Sequence, residues 1–100
     1  MAAPSVRFHP AAVAEAKAAH GWYAKRNPSA ATAFMAALDA AVSAIRNSPG
    51  RWPQHSHGTR KYLLRRFPYA DLYRITDATI QVVAVAHGRR RPGYWRRRSL

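Results

Sequence analysis

The order of elements legible in the sequence predicts an α+β fold of the form β-α-α-β-β-β, a helical hairpin packed on a small antiparallel sheet. Three observations carry that prediction. Two alanine-rich segments in the first half of the chain repeat apolar residues at three- and four-residue steps. Three segments in the second half alternate apolar and polar side chains or run continuously apolar. Proline and glycine punctuate the boundaries between them.

Ser5 to His9 alternates as a short strand with one buried face does. Pro10 suits the first turn of a helix, where its missing N–H costs nothing. Ala11 to about Arg26 reads as that helix, with Val13, Ala16, Ala19 or His20, and Tyr23 on its apolar side. Asn27-Pro28 breaks it. Ser29 is the expected N-cap of a second helix from Ala30 to about Asn47, with Phe34, Leu38, Ala41, Val42 and Ile45 in one stripe. A joint this short predicts an antiparallel helical pair. Ser48-Pro49-Gly50 ends the second helix, and a loop runs to about Thr59.

Arg60 to Phe67 reads as a basic-apolar strand ended by Pro68, with Arg65 and Arg66 projecting from the sheet. Tyr69 to Thr76, carrying Arg74, and Thr79 to His87 follow, joined by the hairpin Thr76-Asp77-Ala78-Thr79. The run Ile80, Val82, Val83, Ala84, Val85, Ala86 marks a strand buried on both faces and therefore central. Residues 88–100 form a basic aromatic tail, expected to contribute little to the core.

One hundred residues make one domain, large enough to bury roughly 60–70% of its unfolded surface. The chain has no cysteine, no signal-peptide pattern at its start and no uncharged apolar run of ~18–20 residues, so a cytoplasmic location is expected. The net charge is +13, and twelve of the seventeen Lys and Arg residues lie between Arg51 and Arg98. Such an imbalance calls for an anionic partner. A membrane surface fits least, because the helices are mostly alanine and lightly charged. Glu15, Asp39, Asp71 and Asp77 form no carboxylate pair, and Glu15 and Asp39 read as helix-surface charges. No glycine loop cradles a phosphate. His55-x-His57 lacks a third ligand, so neither metal nor cofactor is expected. Trp22 and Tyr23 read as helix-to-sheet packing.

Phe8-His9-Pro10, Trp22-Tyr23, Ser48-Pro49, Arg66-Phe67-Pro68-Tyr69 with Tyr73-Arg74, Val83 to His87, and Arg90-Arg91-Pro92 occur in an order and spacing that resembles the RelE/ParE superfamily of type II toxin–antitoxin toxins. The resemblance covers Val6 to Arg91 and implies a growth-inhibitory toxin neutralised by a cognate acidic antitoxin. The segment ending in Val85-Ala86-His87 looks more like the ParE-like branch, which implies DNA gyrase as the target. The alternative is the branch that cleaves messenger RNA on the ribosome. There a basic residue often stands where this chain has Ala70, and Asp71 falls where an apolar residue is expected. A further alternative is a non-toxic nucleic-acid-binding module.

A ribonuclease would need a general acid/base and cations around the phosphorane. His87, Arg89, Arg90 and Tyr94 are the residues that could supply them. Arg65, Arg66, Arg74, Arg91, Arg96, Arg97 and Arg98 are candidates for contact with nucleic acid or an acidic partner, and Trp95 for stacking.

Overall fold

The computed structural model describes residues 4–99, leaving Leu100 of the expected tail outside the described residues. The elements are β1 (Ser5–Phe8), α1 (Pro10–Arg26), α2 (Pro28–Asn47), β2 (Arg60–Leu63), β3 (Tyr69–Thr76) and β4 (Thr79–His87). Their order is the predicted one.

His9 caps α1. Its Nδ1 accepts from the Ala11 N–H at 3.0 Å, and Pro10 opens the helix. Asn27 serves both helices. Its backbone N–H donates to Tyr23 O at 2.7 Å, and its Oδ1 accepts from Ser29 N and Ala30 N. Ser29 is therefore inside α2, not its cap; Pro28 takes the first turn and an asparagine satisfies the orphan donors instead. Buried Ala31, Phe34, Leu38, Ala41 and Ile45 form the core stripe of α2. This helix has the length and mean hydropathy (1.3) of a membrane span. Its apolar stripe is already packed in the protein core, and Asp39 and Arg46 lie on exposed positions, as in an amphipathic core helix.

The sheet order is β1-β4-β3-β2, so β4 is central as expected. β2, β3 and β4 are antiparallel, whereas β1 runs parallel to β4, which makes the sheet mixed. β2 stops at Leu63, four residues short of the end expected from the sequence. Arg65 and Arg66 belong to the following turn, with Arg66 at φ 70°.

A bulge sits in the β3–β4 ladder. Tyr73 pairs with Val82 and Leu72 with Ala84, so Val83 has no opposite residue. Beyond it the alternation of β4 changes parity, and both Val83 and Ala84 pack behind the sheet.

The front face, under the helices, buries Tyr73, Ile80, Val82 and Val85 against Ala12, Ala19, Phe34, Leu38, Ala41 and Ile45. The Tyr73 hydroxyl donates to Pro49 O at 2.6 Å, anchoring the end of α2, and burial pushes its pKa up to about 12. Asp71 lies among these residues, opposite Tyr62 on β2 and Val85 on β4. It is fully buried, neither carboxyl oxygen has a hydrogen-bond partner, and desolvation pushes its pKa up to about 7.

The back face is Ala70, Leu72, Val83 and Ala84, covered by Trp95 at 2% exposure. The tail is thus part of the core, against the sequence expectation. Gly93, at φ 77°, turns the chain where a β-carbon would press on the His57 ring at 3.2 Å. His57 meets Trp95 edge-on at 5.7 Å, with His55 6.2 Å away.

Candidate functional site

β4 leaves the sheet at His87, beside the start of β3. Tyr69 and His87 are paired across the ladder, and their rings meet edge-on at 5.0 Å. Gly88 N donates to Pro68 O at 2.8 Å, which fastens the β2–β3 turn to the segment after β4. His87 Nδ1 accepts from the Arg89 N–H at 3.0 Å, so one imidazole nitrogen is committed to shaping the exit turn.

Two clefts flank this histidine. One, of about 240 Å³, is lined by Lys61, Leu63, Tyr69, His87, Arg90 and Arg91, among others. The second, of about 440 Å³, lies between α1 and the sheet end and is lined by Glu15, Trp22, Tyr23, Tyr69, His87 and Tyr94 among others. Burial, with Tyr23 nearby, raises the pKa of Tyr69. Tyr23 packs inward on Phe34 and Phe67, as expected. Trp22 does not: it is 52% exposed, with the Arg26 guanidinium 3.9 Å above its ring.

Glu15 organises the region between α1 and the tail. Its carboxylate accepts from Val85 N at 3.0 Å, from the Tyr94 hydroxyl at 2.6 Å and from both terminal nitrogens of Arg98 at 2.8 and 3.0 Å. Far from being a solvated helix charge, it satisfies a backbone donor that β1 is too short to reach. Arg98 also donates to Val83 O, and its own carbonyl accepts from Arg74 at 2.8 Å. Bonding to Glu15 raises the Arg98 pKa. Burial, and then donation to Glu15, raises that of Tyr94.

These contacts sort the residues singled out by type and position in the chain. Arg74, Tyr94, Trp95 and Arg98 are engaged within the protein: Arg74 does not project freely, and Trp95 offers no exposed ring for a base. Arg96 is exposed but donates to Gly93 O at 3.1 Å; Arg97 is also exposed. His87, Arg89, Arg90 and Arg91 do come together at the strand exit, and the Gly88–Pro68 bond brings Arg65 and Arg66 to the same end. Arg90 lies over the Tyr94 ring at 4.0 Å. Lys61, Tyr69 and exposed Trp22 are further neighbours that the sequence does not single out. Alternation in β2 and β3 could have indicated the first two. Among the described residues no group of three His, Asp or Glu side chains could hold a metal ion. Burial, then the charges of Lys61 and His57, lowers the pKa of His55.

The fold and the arginine-bearing strand exit define a class: small basic α+β proteins with a cationic end to the sheet. A family comparison makes this specific. The family described as ParE toxin of type II toxin–antitoxin system, parDE, matches residues 6–92, and the chain belongs to it. A solved structure titled as the chromosomal ParDE toxin–antitoxin system from P. aeruginosa shares the fold, with a TM-score of 0.74 and 19% identity. The match covers 84% of this chain and 95% of that one. No curated protein matches the sequence significantly.

Proposed function

We propose that this toxin arrests growth by inhibiting DNA gyrase in the cytoplasm and is held inactive by a cognate acidic antitoxin. The observation that carries the choice of target is the state of the candidate acid–base groups. The Tyr94 hydroxyl is bound to Glu15, one His87 nitrogen holds a turn, and Ala70 stands where the ribonuclease branch often has a basic residue. That arrangement supports binding in place of bond cleavage. The antitoxin reading is supported by charge, seventeen Lys and Arg against four Asp and Glu for a net +13. It is also supported by the apolar groove of Phe8, Val13, Ala16 and Met35 beside Lys17 and His20, which suits an acidic amphipathic segment.

Inducible expression with parallel measurement of plasmid supercoiling and messenger RNA ends tests the target. Loss of negative supercoiling with intact message is expected. Message cutting on translating ribosomes, abolished by His87→Gln, would replace gyrase by the ribosome. Co-expression with the adjacent reading frame should restore growth.

A further inference from the structure

The two loops fastened by the Gly88–Pro68 hydrogen bond carry five arginines. Arg65 and Arg66 precede Pro68; Arg89, Arg90 and Arg91 follow Gly88. All five are exposed, neither loop contains a carboxylate, and among the described residues none of the five forms an ion pair. Mutual repulsion at such density is unfavourable unless an external anion relieves it. Arg66 adds a second observation. It occupies a left-handed conformation, φ 70°, where glycine or asparagine fits at lower cost, so its long cationic side chain is kept against backbone preference.

We infer that this end of the sheet is a binding site for the phosphate backbone of duplex DNA. The five guanidiniums of the two loops suit phosphate oxygens, which take the planar fork of arginine. An acidic protein fits less well, because a protein interface centres on apolar or aromatic anchors. Phe67, the one large apolar side chain between these arginines, is turned inward against Tyr23 and Phe34, which leaves Leu63 in the adjoining cleft as a lone exposed aliphatic side chain. Single-stranded nucleic acid needs free rings for stacking, whereas half-buried Tyr69 packs edge-on against His87 and Phe34 and exposed Trp22 already carries the Arg26 guanidinium 3.9 Å above its ring. The site goes beyond the gyrase reading, under which it would let the toxin grip the enzyme and its DNA together. It is measured without gyrase, so the two ideas fail separately.

The test is binding of the full chain to a 30-base-pair duplex of arbitrary sequence, by fluorescence anisotropy, between about 50 and 200 mM salt. Five phosphate contacts give a log–log slope of roughly −4.5, or about a 500-fold loss of affinity across that range. The variant Arg65→Gln, Arg66→Asn, Arg89→Gln, Arg91→Gln should flatten this to about a fourfold loss. A control removing four charges elsewhere (Arg7→Gln, Lys17→Gln, Lys25→Gln, Arg46→Gln) should keep a slope within ~1 of the wild type. Circular dichroism checks that both variants are folded. Equal flattening in both would mean diffuse attraction to net charge and overturn the site. So would tight binding of a polyglutamate peptide with none of the duplex.

Discussion

The two faces of the sheet are closed by different means. On the front, two helices deliver a continuous aromatic and aliphatic layer, in which Phe34 touches Tyr23, Phe67 and Tyr69 at ring distances of 5.3–5.6 Å. On the back, four aliphatic side chains on β3 and β4 lie under one buried indole, with Tyr94 packed at its side. Burial is shared among many groups in the first case and concentrated in one ring in the second. That ring depends on polar fastening from outside the sheet: Tyr94 and Arg98 to Glu15, Arg74 to the Arg98 carbonyl, and two histidine rings beside the indole. The difference teaches that a charged stretch can be a structural layer when a half-buried carboxylate holds it.

Removing the chain after Arg91 is the most severe way to break the comparison. It uncovers the back face and leaves Glu15 without its two side-chain partners. The loss should exceed the ~3–5 kcal/mol typical of deleting a buried tryptophan, and urea unfolding should show little or no native baseline. Survival of a cooperative transition at wild-type midpoint would make the tail an ornament. Trp95→Ala alone should cost about 3–5 kcal/mol by the same measurement.

Asp71 sharpens the contrast from the front. Its pKa is raised from 3.8 to about 7 by burial, so the folded state prefers the neutral acid. Its contribution is intact below about pH 4 and is lost progressively as pH rises towards 7, where the buried carboxyl ionises. The decline is on the order of 4 kcal/mol at most. Asp71→Asn should flatten the stability–pH curve between pH 4 and 7 relative to the wild type, and an unchanged slope would place the carboxyl in contact with solvent. The smallest effect expected is at the fastening itself. Glu15→Gln should cost roughly 1–3 kcal/mol, and a double-mutant cycle with Arg98→Gln should show coupling.

Much of the front face is legible in the sequence, because helix and strand periodicities report burial directly. The stripe Phe34, Leu38, Ala41, Ile45 and the two-sided apolar run of β4 lie where the pattern puts them. The cap of α2 falls two residues earlier than the pattern suggests, since Asn27 and Ser29 are both good caps and only the geometry chooses. The parallel pairing of β1 leaves no signal, as four residues carry no mark of their partner. The back face is the least legible part. Tyr94, Trp95 and three arginines look alike whether they lie in solvent or on a sheet, and their partner Glu15 is 79 residues from Tyr94. The candidate site is legible as residue types near His87. The union of two distant loops through Gly88 and Pro68 is not, because it is a tertiary contact.

The parallel pairing of β1 also governs when the protein can be born. Ser5 waits for Thr79, and the Glu15 carboxylate waits for Arg98, 83 residues further along the chain. Contacts of such long sequence separation form late and slowly. A nascent chain that has exposed only its first half therefore lacks both its first strand's partner and the cover of its back face. The finished shape can close only once Arg98 has been made, so the delay between synthesis of the helices and completion of the fold is set by the chain's own topology.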